Sequence, residues 1–346
     1  MIMADNGLKK LIETNLSRRE QAISACPAPP QEHILALVGD IESEDSLESV
    51  RTDPYWPKWN SPWWKMTLLH EMGLDHMIPR ITAEALLKKI DAQYLHFFPT
   101  REEELPDGCD PIRHIICHCA LGIIYGMFSG MGMDVDGLLP WAREWFVKYQ
   151  MPDGGYNCDE GAYLREKPRS SFLSSIPPLE TLLLKTGGNH TPGERDTLDR
   201  GARYFIDRKL CRSISKGMSV IKRSWFHTAF PRYYKYDILR GLTFVTCWAE
   251  AMKKPLPVDS IAEALAVLNS QLDSEGRMAP GRNTLMEEGT CLMLGGGKWE
   301  FVNDARMFDL LEEVSRIGQP SIFLTREWYG CITRLAALDE MGLLST

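Results

Sequence analysis

Apolar and half-polar helical segments alternate along almost the whole chain, and this limits the fold more than any single motif does. Segments near 63–73, 111–131, 170–186, 236–252 and 321–341 are apolar around most of their circumference, as a helix packed on all sides must be. Between them, segments near 82–98, 138–149, 192–210, 258–271 and 303–317 carry one apolar stripe and one charged face. Residues 7–24 and about 30–38, with an extension toward 47 left open, read as two more helices, parted by Pro27, Pro29 and Pro30. The repeat period is roughly 45 to 60 residues, with almost no strand-type alternation. Buried helices wrapped by amphipathic ones predict an all-α fold, an α/α toroid of about six helical hairpins forming one domain over 1–346. An open solenoid satisfies the same pattern.

Composition narrows the function classes. The net charge is −8 and no basic run is present, which argues against a nucleic-acid partner. No apolar run approaches the roughly 20 residues of a membrane span, and the first ten residues lack an apolar signal core. Nine cysteines without a repeated spacing read as reduced thiols of a cytoplasmic protein. Ten tryptophans and 16 methionines suit the wall of a wide cavity for a small-molecule substrate. Self-association stays open.

Chemistry concentrates in Gln150-Met-Pro-Asp-Gly-Gly-Tyr-Asn-Cys-Asp-Glu160, between two apolar segments. Gly154-Gly155 allows a sharp reversal, and Tyr156, Asn157, Cys158, Asp159 and Glu160 follow at once. A capped turn accounts for the same residues. A related Gln-acid-Gly pattern recurs in Gln271-Leu-Asp-Ser-Glu-Gly276.

Gln150-x-x-Asp-Gly-Gly-Tyr156 resembles the Gln-x-x-Asp-Gly-Gly-aromatic repeat of the terpene cyclase and protein prenyltransferase superfamily. The helical alternation covers nearly the whole chain in the same manner. Asp110-Pro-Ile112 with His118 and Tyr125-Gly126, and Cys158-Asp159 before the next apolar segment, are similar to the single-domain toroids related to linalool dehydratase-isomerase. That resemblance implies a toroid with a central cavity and a catalytic cysteine beside an acid. No Asp-x-Asp-Asp motif is present, so the proton donor of squalene cyclases is missing. Asp107-Gly-Cys109 matches the zinc-binding pair of prenyltransferases, whose distant histidine has no counterpart in the last apolar segments.

Four sets of polar residues open the apolar segments. His114 and His118, spaced i, i+4 after Asp110 with Cys117 and Cys119 nearby, share one face of a continuous helix. They could serve in acid-base catalysis, bind metal, or be satisfied core histidines. No cofactor is expected. Zinc is the one alternative, and it needs Cys109, Cys158 or Asp159 to complete the set. In the second set, Asp159 and Glu160 raise each other's pKa if buried, with Cys158 as nucleophile or proton carrier. The third, Arg232, Tyr234, Tyr236 and Asp237, could hold an anionic group or shape a pocket. Arg240 demands a buried carboxylate partner. Arg326, Glu327 and Tyr329 form the fourth, and Trp63 and Trp64 supply apolar wall.

These readings predict an enzyme performing lyase, isomerase or cyclase chemistry on a small, largely apolar, isoprenoid-type substrate in an aromatic-lined cavity. His114, His118, Cys158, Asp159 and Glu160 are the expected catalytic residues. Trp63, Trp64, Asp110, Tyr156, Asn157, Arg232, Tyr234, Tyr236, Asp237, Arg326 and Tyr329 are expected to bind substrate. A carbohydrate-active toroid and a non-catalytic ligand-binding toroid are the competing functions.

Overall fold

Helices begin where a capping side chain or a proline meets the apolar pattern. The computed structural model describes residues 5–184, 188–283, 285, 290–294, 298–302 and 307–345. In chain order the helices are α1 (Asp5–Ser24), α2 (Gln31–Glu42), α3 (Glu44–Thr52), α4 (Pro62–Glu71), α5 (Arg80–Gln93), α6 (Pro111–His114), α7 (His118–Gly130) and α8 (Val135–Leu138). They continue as α9 (Ala142–Lys148), α10 (Phe172–Leu184), α11 (Pro192–Ile206), α12 (Ile238–Met252), α13 (Val258–Ser270), α14 (Asp309–Val314) and α15 (Ile322–Glu340). Ser43, Asp110, Asp134, Asp237 and Ser321 cap α3, α6, α8, α12 and α15 with their side chains. Thr191 and Glu194 form a reciprocal capping box at α11.

The fold is all-α. Strand pairing among the described residues is limited to two short ladders, the hairpin Thr290–Leu294 with Lys298–Val302, and an isolated bridge between Tyr156 and Ser171. Gly295–Gly297 lie outside the described residues, as do 185–186 and 303–306 of two predicted helices.

The apolar helices pack in sequence. α4 meets α7, α7 meets α10, α10 meets α12, and α12 meets α15. The amphipathic α1 lies along α15, and α11 lies against α10 and α12. A single large core results, containing Trp63, Trp64, Phe128, Trp145, Trp248 and Trp328.

α7 and α10 approach backbone to backbone. A Cβ on Gly122 would stand 2.5 Å from the backbone nitrogen of Pro178 and 2.6 Å from the carbonyl carbon of Pro177. Pro177 and Pro178 lie inside α10 and donate no amide hydrogen bonds there. Thr181 reaches across, donating from Oγ1 to the Gly122 carbonyl at 2.6 Å.

One expected helix is corrected. The segment 111–131 is not continuous: Ile115 and Cys117 are extended, and helix resumes at His118. Pro111–Gly130 is long and apolar enough to cross a membrane by length and composition, but the break and the burial of α7 make it a core element. His114 and His118 therefore do not share a helix face.

The Gln150–Tyr156 motif is a clip between helices. Gln150 Nε2 donates to the carbonyls of Gly154 at 2.8 Å and Thr197 at 2.7 Å, tying the loop to α11. Gly154 has φ of 93°, and a Cβ there would press on the Arg200 carbonyl at 2.3 Å. Asp153 pairs with Arg208 at 3.2 Å and accepts from Ser170. Tyr156 donates from its hydroxyl to the Phe146 carbonyl, and its amide donates to Ser175 Oγ at 2.8 Å. Gln271 repeats the device, donating to the Phe226 carbonyl at 2.6 Å.

Candidate functional site

A cavity of about 300 Å³ lies where α4, α7, α10, α12 and α15 converge with the loop before α12. Its apolar lining is Ile123 and Gly126 of α7, Pro177 and Leu184 of α10, and Phe230. Its polar lining is His70, Glu71, Glu180, Arg232, Arg240 and Glu327.

Both arginines are fully engaged. Arg232 pairs with Asp237 at 2.9 Å and forks onto both oxygens of Glu327, Nη1 to Oε1 at 3.0 Å. Burial opposes its charge, yet Asp237 and Glu327 outweigh burial and keep it protonated. Arg240 grips Glu180 through Nε and Nη2, the latter at 2.7 Å, and donates from Nη1 to the carbonyls of Tyr233 and Lys235. The carboxylate partner that Arg240 requires is thus Glu180.

The cavity's carboxyl groups are driven apart in acidity. Burial raises Glu71 above the usual carboxylate range, despite Arg240 nearby and two backbone amides, Arg232 at 2.7 Å and Tyr233, donating to its oxygens. Burial also pushes Glu327 up, but Arg232 prevails and the net shift is downward. Unlike environments of this kind separate an acid from a permanently charged group. Beside Glu71, His70 holds Asp75 through Nδ1 at 2.5 Å, which leaves Nε2 as its other ring nitrogen. The two side chains are 18% and 19% exposed, so the pair is neither solvated nor sealed.

Of the residues expected to catalyse or bind substrate, Arg232 lines this cavity, with Asp237 directly behind it, and Arg240 and Glu327, also singled out from the sequence, line it too. Trp63 and Trp64 are fully buried in the core, and the tryptophans do not form the cavity wall. Tyr156, Tyr236 and Tyr329 spend their hydroxyls on the carbonyls of Phe146, Leu210 and Gly276. Tyr234 stacks on Trp59 and accepts from Lys58. Arg326 is exposed. Asp110 caps α6, and its amide donates to His114 Nδ1 at 3.0 Å. Asn157 receives the Asp159 amide and donates to the Arg169 carbonyl at 2.8 Å. Asp159 is exposed and paired with Arg165 at 3.0 Å, so Asp159 and Glu160 are not a buried acid pair.

His118 is sealed. Trp145 Nε1 donates to its Nδ1 at 2.8 Å, and its Nε2 meets the Tyr163 hydroxyl at 2.9 Å. Tyr163 in turn donates to the Tyr149 carbonyl at 2.9 Å. This chain assigns the neutral tautomer with the proton on Nε2. Burial lowers the pKa of His118 to about 4, so neither nitrogen is available for proton transfer. An unfolded chain, with ordinary histidine pKa, binds a proton that the folded one refuses. Stability therefore falls as pH drops from the unfolded value toward 4, by about 2 kcal/mol between pH 7 and 5. Urea midpoints at the two pH values should show that loss, and His118→Gln should remove most of the difference.

Three sulfurs converge beside this core. Sγ of Cys119 lies 3.1 Å from Cys117 and 3.7 Å from Cys158, and all three fall within 4.8 Å of one another. Contact with Cys117 pushes Cys158 up to about 11, while hydrogen bonds from Cys119 and Cys158 hold Cys117 well below the usual thiol value.

His70, Glu71 and Glu180 escaped sequence reasoning. The signal available was a charged pair, His70-Glu71, at the end of an otherwise apolar helix, and Glu180 inside another. No family model matches the chain, and no curated protein matches it.

Proposed function

We propose that the protein is an acid-base enzyme whose active site is the cavity of His70, Glu71 and Glu327, acting as a lyase or isomerase on a small alcohol with an apolar body. The observation that carries this is the His70–Asp75 pair bordering a cavity in which Glu71 is held toward its protonated form. A carboxylate on one nitrogen fixes the imidazole and leaves the other for the substrate proton. Glu71, as the acid, would protonate the departing hydroxyl, and His70 would take a proton from the adjacent carbon. Ile123, Pro177, Leu184 and Phe230 offer the apolar body a wall. Every guanidinium in the cavity is already neutralised by carboxylates, which disfavours anionic substrates.

The helix order α4, α7, α10, α12, α15 is read here as the inner ring of an α/α toroid, with α5, α9, α11, α13 and α1 outside. The terpene cyclase-like resemblance remains a proposal on that basis. The buried tryptophans count against sugar stacking, and the perturbed Glu71 counts against a purely ligand-binding role.

The test is turnover of short isoprenoid and other tertiary or allylic alcohols by wild type, His70→Gln and Asp75→Asn. Wild type should yield alkene or isomerised alcohol, and His70→Gln should lose at least about a hundredfold in kcat. Undiminished turnover in His70→Gln, or wild-type turnover of sugars alone, would refute the proposal.

A further inference from the structure

We propose that Cys117, Cys119 and Cys158 form a binding site for a thiophilic metal ion, zinc being the best fit, with solvent completing the coordination. Among the described residues, these are the three ligating side chains that converge in one group. Three sulfurs about 2.3 Å from one tetrahedral ion stand about 3.8 Å apart. The separations here, 3.1 Å, 3.7 Å and at most 4.8 Å, bracket that spacing, so an ion fits with minor side-chain adjustment.

The framework presents the sulfurs without help from a metal. Cys117 is the residue before α7, with extended backbone, and Cys119 lies in the first helical turn. The helix break at Ile115–Cys117, unexpected from sequence, lets two cysteines spaced by one residue bring their sulfurs together. Cys158 arrives from the loop after the Gln150 clip. Its amide donates to Ser174 Oγ at 3.1 Å, and Asn157 Nδ2 anchors the preceding residue to Arg169. Two loops 39 residues apart are thereby held face to face by hydrogen bonds.

Among the described residues no fourth protein ligand joins the three. Both nitrogens of His118 are engaged by Trp145 and Tyr163, and Asp159 turns outward to Arg165. Cys117 and Cys158 are partly exposed, which gives water the fourth position. A three-ligand site with one open position is the arrangement of reactive zinc rather than of closed structural zinc. Binding would release the thiol protons that the ion displaces, so affinity should rise with pH. The positive end of the 13-residue α7 offsets the surplus charge of three thiolates on a divalent ion.

The experiment uses full-length, tag-free, fully reduced protein titrated anaerobically with Zn²⁺, and with Co²⁺ as a spectroscopic probe. Expected are one ion per chain, a thiolate-to-cobalt charge-transfer band, and d–d bands of tetrahedral intensity. Cys158→Ser and Cys119→Ser should each loosen zinc by more than the roughly 10–100-fold that loss of a supporting group costs. Cys211→Ser, a buried thiol elsewhere, should leave the affinity unchanged. Unfolding curves of the metal-free variants check that they fold, and the partly exposed Cys158 carries the test if Cys119→Ser does not. Failure of reduced wild type to bind stoichiometrically, or equal affinity in wild type and Cys158→Ser, would overturn the proposal. The readout does not involve the His70 cavity, so it stands or falls separately from the proposed reaction.

Discussion

Arg232→Met should destabilise the protein by about 3–5 kcal/mol, the cost of leaving a buried charge without its partner. Asp237 is fully buried and would face the vacated space with only two backbone amides, Ala229 and Arg240, donating to it. Glu327 would keep Thr243, at 2.7 Å, but lose its fork. Methionine fills much the same volume, so the loss would report charge and not a cavity. Adding Glu327→Gln to Arg232→Met removes one orphaned charge, and the double variant should be more stable than the single one predicts by at least about 1 kcal/mol. Urea unfolding of the four proteins closes this cycle. A single variant within about 1 kcal/mol of wild type would show that the network is not a major support.

Gly122→Ala should cost about 3 kcal/mol or more, the upper end of overpacking penalties. The added methyl would meet the backbone of Pro177 and Pro178, which cannot rotate away as a side chain can. α7 and α10 would have to separate, breaking the Thr181 hydrogen bond and displacing Ile123, Gly126, Pro177 and Glu180 together. Gly39→Ala is the control. Gly39 is exposed on α2 with nothing within 4 Å of a new Cβ, and there alanine should stabilise by up to about 1 kcal/mol. Equal, small effects at the two positions would contradict the described packing.

Much of the helical framework was legible because its signal is local and periodic. α1, α4, α10, α12, α13 and α15 fall within a few residues of the segments that periodicity marks. The failure at 111–131 has a physical cause. Apolar content indicates burial, not backbone angle, and β-branched Ile115 and Ile116 beside Cys117 are as comfortable extended as helical. The site was less legible for a related reason. Density of polar residues in a loop does not distinguish groups facing a ligand from groups holding the loop in place. Tyr156, Asn157, Asp159 and Tyr236 prove to be the second kind. Glu71 and Glu180 are isolated acids in apolar helices, and their meaning depends on which helices meet. Arg240 was the exception, because a buried guanidinium requires a carboxylate wherever it sits.

The arginine network carries a consequence for how this protein can change over generations. Asp237 both starts α12 and neutralises Arg232, and the amides of Arg232 and Tyr233 fix Glu71. These cavity residues are therefore inherited as a block, since few single substitutions among them leave a folded protein to select. Thr67, Ile123 and Leu184 also line the cavity and bear no such charges. Substitutions should accumulate at those uncharged positions, while the ion-paired residues stay fixed across descendants.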